Sequence, residues 1–335
     1  MADPVIDLHF HCMSREADQV AQAHRAHPGT HHASITAAPA SQAVSKKKAE
    51  EEWNRKLFEP AAALAEMDRL GIDVAVLSPP PYGYYHWVTD GGVALRLCEM
   101  VNGYIADLAA RHPGRFRGYA IVPLQVGGEE AAGVLERAVR ELKLVGAAIA
   151  SNINGRNLDE DDFEPFWKKA GELGCLIFIH PTDVAGHERI QRYYLTNLIG
   201  NPLDTTIAAA HLIFKGIFER HPGLQVLLAH AGGHLPYIRG RLDHGWEYRP
   251  EVKPRIPHPP SYYFKNLYFD ILTFYSRTLE FLVSTMGEDH VVFGTDFPFD
   301  MMEMDPVRFV MGANLKGEAK RKVSSQNAAR LVGLG

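Results

Sequence analysis

Cysteine is scarce: Cys12, Cys98 and Cys175 are the only three in 335 residues, odd in number and far apart. That spacing offers neither a disulfide framework nor a CxxC metal site, so any metal must be held by histidine and carboxylate. Long apolar runs are lacking too, since no stretch approaches the roughly 18 uninterrupted apolar residues of a membrane span. Met1 to His11 carries acids where a cleavable leader would carry a basic region and a long apolar run. The expected compartment is therefore cytoplasmic. Basic clusters are nearly absent: Lys46, Lys47 and Lys48 form the one basic run, and Glu50, Glu51 and Glu52 follow it at once. With a net charge of -5, the chain has no concentrated basic face for nucleic acid or an anionic membrane, and neither is an expected partner. The charged run reads as a solvated helix or loop.

What is present is a folded composition, 46% hydrophobic and 10% aromatic. By length, the chain suits either two domains or one α/β barrel of roughly 250 residues with insertions. Short β-branched runs, each followed by helical periodicity or turn residues, decide between them. Eight can be counted: Val5 to His9, Val74 to Leu77, Phe116 to Val122, Ala147 to Ala150, Leu176 to His180, Val226 to His230, Leu267 to Asp270 and Val291 to Gly294. Helices are expected over Ala61 to Leu70, Ala94 to Arg111, Glu129 to Leu142 and Phe163 to Leu173, the last with Asp159, Asp161 and Asp162 to cap or favour its start and Gly174 to stop it. The economical architecture is an α/β fold, a (β/α)8 TIM barrel spanning 1–335. No GxGxxG follows the first strand to favour an open doubly wound sheet. Residues 12–59 exceed an ordinary βα loop and read as a lid-like insertion, irregular by its Ala, Ser, His and Pro content. The segment from Pro79 to Trp87, which includes Tyr84, is a second loop suited to lining a pocket.

Residues two apart on a strand share a face, so His9 and His11 can project together into a barrel mouth. Ile179-His180-Pro181 ends the fifth strand, Ala229-His230-Ala231 the sixth, and Gly294-Thr295-Asp296 follows the eighth. In such a barrel these ends converge on the face where active sites are built. Histidine and carboxylate together suit a divalent metal, zinc most simply and manganese as well. Cys12 points away from His11 by alternation and reads as a small buried residue.

The HxH, the HP after strand five, the HAGG after strand six and the TDFP after strand eight resemble the metal-dependent amidohydrolase superfamily. Within it, the chain resembles the branch around 2-amino-3-carboxymuconate-6-semialdehyde decarboxylase. The likeness extends to Glu66-Met67-Asp68, Gly71 to Val74, Val122 to Gln125, Gly240 to Asp243 and Met286 to Asp289. It implies one zinc held by His9, His11, His180 and Asp296, with His230 as the acid/base acting on the zinc-bound water. The strand-four end, Ile149 to Asn152, carries no bridging lysine, so one metal is expected. The resemblance also implies a homodimer in which Arg241 crosses the interface to grip a substrate carboxylate; alternatively, Arg241 pairs with Asp243 or Glu247. The family's second carboxylate-binding arginine falls here on Glu51 or Glu52, with Arg55 displaced nearby, a departure that bears on the substrate.

Among the other histidines, His24, His27, His31 and His32 cluster in the insertion and read as surface. His187, His211, His234 and His244 lie near pocket loops or helices. His234, Tyr84, Trp87 and Arg241 are the candidate substrate-binding residues; Trp246 and Phe297 read as packing. The expected activity is non-oxidative decarboxylation of an unsaturated or aromatic carboxylic acid, either after water addition or with the substrate on the metal and His230 or Asp296 protonating carbon. Two rivals are zinc-dependent hydrolysis of a lactone, amide or carbon-carbon bond, and a catalytically idle binding barrel.

Overall fold

A computed structural model describes residues 3–24 and 43–334. Eight parallel strands form the barrel: β1 Ile6–His11, β2 Val74–Ser78, β3 Phe116–Gly118, β4 Gly146–Ala150, β5 Leu176–His180, β6 Gln225–Leu228, β7 Leu267–Asp270 and β8 Val291–Val292. Ladders join β1-β2-β3 and β4-β5-β6-β7-β8. Two seams close the ring. The Ala120 amide donates to Gly146 O at 2.8 Å, joining the β3 continuation to β4, and Leu8 N donates to Phe293 O at 3.0 Å, joining β1 to the β8 continuation. The length thus resolves into one closed barrel, as the strand count implies.

Strand bounds moved where pairing overrides composition. β1 runs on to His11, and its register slips by one residue between Asp7 and Phe10. Such an irregularity re-aims side chains beside a site. β6 stops at Leu228, short of the expected His230. The amides of His230 and Ala231 both donate to the Asp270 carboxylate, at 2.9 and 2.7 Å, and bend the chain into a tight turn.

Helices α3 Pro60–Leu70, α4 Gly91–Arg111, α5 Gly128–Arg140 and α6 Glu164–Leu173 match the expected four within a few residues. They are set by local signals, such as Asp90 accepting from Val93 N at 2.9 Å to cap α4, and Gly174 ending α6 at φ 59°. The acids before α6 do not cap it. Asp159 pairs with His211 at 3.0 Å, Asp161 with Lys215 at 2.8 Å and Asp162 with Arg156 at 3.1 Å, because basic side chains on neighbouring elements compete for them. The insertion also departs from expectation, its described parts being helical: α1 Arg15–Ala23, capped by Ser14 accepting from Ala17 N, and α2 Ala43–Phe58. Ala17 and Ala21 bury one face of α1, which an average over the segment's composition conceals. His27, His31 and His32 lie outside the described residues.

Downstream come α7 Asn201–Phe214, α8 Ile217–Arg220, α9 Leu235–Tyr248, α10 Ser276–Met286, α11 Pro306–Gly312, α12 Gly317–Arg321 and α13 Asn327–Val332. Phe178, Phe293, Phe166 and Trp167 are fully buried, and the Trp167 indole donates to Leu158 O at 2.8 Å. Phe297 stacks on Phe10 at 4.1 Å, and the half-buried Trp246 donates to Ile256 O, so both serve packing as expected. Cys12 is buried.

Candidate metal centre and active-site cavity

At the C-terminal mouth of the barrel, His9, His11, His180 and Asp296 bring one ligand atom each within 4.8 Å of one another, all four residues buried. His9 Nε2 lies 3.2 Å from His11 Nε2, and each of these lies 3.1 Å from Asp296 Oδ1. His180 Nε2 stands 3.9 Å from the same oxygen. Metal–ligand bonds of about 2.0–2.1 Å at tetrahedral angles give edges of roughly 3.4 Å, and these separations bracket that value.

The tautomers are fixed from behind. His9 Nδ1 donates to Asp270 Oδ2 at 2.8 Å, His11 Nδ1 to Pro79 O at 3.2 Å, and His180 Nδ1 to Pro181 O at 3.0 Å. Carboxylate and carbonyl only accept, so each ring carries a hydrogen on Nδ1 and turns Nε2 to the centre. Among the described residues, His180 Nε2 is buried without a hydrogen-bond partner, an arrangement that costs free energy unless a cation answers it.

Burial pushes the His180 imidazole down to about 3 and lowers His11. Burial acts the same way on His9, but the carboxylates of Asp296 and Asp270 outweigh it and raise it to about 10. Burial opposes the charge on Asp296, yet the imidazoles around it hold its carboxyl well below the usual range. The carboxylates of Asp270 and Asp296 thus create a negative field at the cluster that favours positive charge there, a proton on His9 without an ion and one divalent cation in its place. The donor set fits such an ion.

His230 occupies the turn after β6 at φ 55°, with Nε2 3.5 Å from Asp296 Oδ2 and Nδ1 buried without a partner among the described residues. Asp296 itself sits at φ 61°. Non-glycine residues held in this region cost roughly 1–3 kcal/mol each and persist where the surroundings enforce them, often at functional sites.

Sequence reasoning missed the groups behind the ligands. Asp270 holds His9 and receives the two amides that shape the His230 turn. Asp7, pushed up to about 7 by burial, accepts from Thr295 Oγ1 at 2.5 Å and from His9 N at 2.9 Å, tying β1 to the strand-eight end. An acid ending a strand on the mouth face was the available signal for Asp270.

Above the cluster opens a cavity of about 440 Å3. Asp18 and Gln22 of α1 and Trp53, Asn54, Leu57 and Phe58 of α2 form part of its wall. Trp87 lines it as expected, and so does His86, whose Nε2 bonds Asp183 Oδ2 at 3.0 Å. Three expected binding residues do not line it. Tyr84 is buried in the turn Pro81–Tyr84, packed into the core cluster. His234 is exposed at the head of α9, its amide donating to Thr206 Oγ1 at 2.8 Å, and Arg241 is exposed further along α9. The facing of α9 is set by its packing on the barrel, which spacing in the sequence does not reveal. His187 is exposed as well.

A divalent-metal cluster at the mouth of a (β/α)8 barrel defines a class, and the amidohydrolase family profile matches residues 6–334. The chain belongs to that family. It is 34% identical over 285 residues to 2-amino-3-carboxymuconate-6-semialdehyde decarboxylase of Dictyostelium discoideum, covering 84% of this chain and 79% of that protein. It is 30% identical over 290 residues to γ-resorcylate decarboxylase of Rhizobium radiobacter, covering 80% and 85%. In fold it matches 5-carboxyvanillate decarboxylase of Novosphingobium aromaticivorans, solved with manganese and 4-hydroxy-3-methoxy-5-nitrobenzoic acid, at TM-score 0.85 and 24% identity over 99% and 96% of the two chains. This places the chain in the decarboxylase branch of the family.

Proposed function

We propose that the protein is a metal-dependent, non-oxidative carboxy-lyase acting on an unsaturated or aromatic carboxylic acid, with His230 and Asp296 as its proton-handling groups. The observation that carries the reading is the contact of His230 Nε2 with the outer oxygen of Asp296, whose inner oxygen faces His9 and His11. Two groups able to exchange a proton thus stand directly beside the candidate metal ligands. When bound, a divalent cation supplies Lewis-acid polarisation of substrate or water oxygens. Loss of carbon dioxide leaves an electron pair on carbon, which a proton from His230 or Asp296 quenches. Trp53, Leu57, Phe58 and Trp87 shield that carbon from bulk water.

The finer assignments belong to the same reading: His9, His11, His180 and Asp296 as ligands, zinc as the ion, a cytoplasmic location and a homodimer. Three imidazoles and one carboxylate at these separations support zinc, and the same donors accept manganese. Arg241, exposed and outside its own chain's cavity, supports an arginine donated across a dimer contact; a bidentate guanidinium suits a carboxylate. Among the described residues, no helix is long and apolar enough to cross a membrane.

Incubating the metal-loaded protein with hydroxybenzoates labelled in the carboxyl carbon tests the reaction. Labelled carbon dioxide is expected. Incorporation of solvent oxygen into an acid product, without carbon dioxide, would instead establish hydrolysis.

A further inference from the structure

We propose that Asp204, a buried acid behind the cavity, is a positioning residue: by fastening residues 181–185 it holds Asp183 against His86, and that pair sets the wall on which substrate is bound. The part that concerns turnover rests on the decarboxylase reading. Asp204 stands in the first turn of α7 and is 5% exposed. The Ser151 hydroxyl and Asn152 Nδ2, the latter at 3.1 Å, donate to one of its carboxylate oxygens, and Ala185 N donates to the other at 3.0 Å. Such bonds replace the water that a buried carboxylate has lost. Ser151 and Asn152, just past β4, carry the grip onward. Ser151 Oγ accepts from Thr182 N at 3.2 Å, and Asn152 Nδ2 donates to Thr182 O at 2.8 Å and, more weakly, to Asp183 O at 3.4 Å.

This grip accounts for a strained residue. Asp183 is held at φ 47°, a conformation that a non-glycine residue keeps only where its surroundings enforce it. There its Oδ2 accepts from His86 Nε2 at 3.0 Å, which links the segment after β5 to the loop after β2. Asn154 Nδ2 donates to His86 O at 2.8 Å, so His86 is held by its backbone as well as its ring. His86, Thr182, Asp183 and Val184 line the cavity, whereas Asp204 does not. The ligand-bearing end of β5 is secured separately: His180 O accepts from Ser151 N at 3.0 Å, and β5 is paired with β4 and β6 on its two sides. Loss of the Asp204 grip should therefore loosen the wall and leave the metal centre standing.

Asp204→Asn keeps the shape but trades one acceptor oxygen for a donor, so the Ser151, Asn152 and Ala185 donors compete for a single oxygen. Hydrogen exchange of the metal-loaded full chain, read by mass spectrometry, tests the consequence without turnover. Exchange at Thr182 and Ala185 should quicken at least roughly tenfold, with the amides of β5 unchanged. The Val88 amide, which donates to Tyr85 O at 2.9 Å, should quicken too, by a smaller factor because Gln125 Nε2 also holds Tyr85 O and Val88 O at 3.2 Å. Asp204→Asn should add nothing at Val88 once His86→Phe has cut the link. Faster exchange confined to residues 181–185 would mark a purely local role and overturn the proposal, as would loss of the metal from folded Asp204→Asn. Should that variant fail to fold, Ser151→Ala, which takes the acceptor from Thr182 N, is read in the same way. With carboxyl-labelled hydroxybenzoates, γ-resorcylate among them, KM should rise about tenfold or more while kcat stays within about threefold. A fall in kcat at unchanged KM would also overturn the positioning role. The expected exchange pattern without labelled carbon dioxide from any of these acids would sink the decarboxylase reading alone, whereas wild-type exchange at Val88 beside normal turnover would sink the positioning role alone.

Discussion

His230 and the four candidate ligands differ in what lies behind them. His9, His11 and His180 each present Nε2 because Nδ1 is anchored, whereas His230 Nδ1 has no partner among the described residues and its Nε2 faces the outer oxygen of Asp296. His230→Ala is therefore expected to keep the metal and lose about 10²–10⁴-fold in turnover, the usual worth of a positioned acid or base. Metal analysis beside kinetics checks this, and near-normal activity would remove His230 from the chemistry. His180→Ala and Asp296→Ala should lose the metal as well. Asp270→Asn keeps the shape but weakens the anchor of His9, and metal affinity should fall about 10–100-fold, the usual effect of an outer-shell change. A competitive chelator titration reads that directly. The five residues were legible because four strand ends each carried a ligand type where a barrel converges. Asp270 was not, since an acid closing a strand has no spacing of its own. Tyr84 and His234 lie off the cavity of their own chain for one reason: whether a loop or helix residue faces a cavity depends on packing that no local pattern records.

At the scale of elements, the barrel mouth depends on close approach. A Cβ on Gly294 would lie 2.9 Å from the Cβ atoms of both His9 and Asp270, so only glycine lets the β8 continuation pass between β1 and β7. Gly294→Ala should spread those strands, lowering both thermal stability and metal affinity. Unchanged metal affinity in a folded variant would show that the mouth can yield. Away from the mouth, Glu164 at the start of α6 bonds Arg220 at 2.8–2.9 Å and His221 at 2.8 Å. The Arg220 hydrogen bond, helped by His221, holds its carboxyl down at about 2, against an ordinary 4.5. A depressed carboxyl pKa adds stability that is fully present above the unfolded value and is lost as pH falls through the folded one. Urea midpoints for Glu164→Gln should therefore decline less steeply than wild type between pH 4.5 and 2, with the contribution reduced by the pair's partial exposure. Parallel declines would assign the acid sensitivity elsewhere. The same corner of the fold shows why the acids before α6 do not cap it: capping competes with ion pairing, and while Arg156 lies just upstream, Lys215 and His211 arrive from an element distant in sequence. The helices α1 and α2 were hidden differently, their short apolar faces diluted in a long polar insertion.

For the whole molecule, the eight strand signals were readable because a parallel barrel buries each strand on both faces, giving compact β-branched runs. The closing seams were not, for β3 and β8 contribute only Phe116–Gly118 and Val291–Val292 as regular strand and complete the ring through the residues that follow. One seam runs through the metal cluster itself, where Asp296 N donates to His9 O at 2.9 Å and His11 N to Phe297 O at 3.0 Å. A cation joining His9, His11 and Asp296 to His180 across the mouth would thus cross-link the first and last strands to the fifth. An ion that binds the folded chain alone stabilises it by about 2.7 kcal/mol at a free concentration 100 times its Kd. Stripping with a chelator should lower the melting temperature by several degrees, and adding back zinc or manganese should restore it in step with metal content. Far-ultraviolet circular dichroism should change little on stripping, because the ladders of the barrel do not require the ion. An unaltered melting temperature at verified zero metal would show that the seam closes by hydrogen bonding alone.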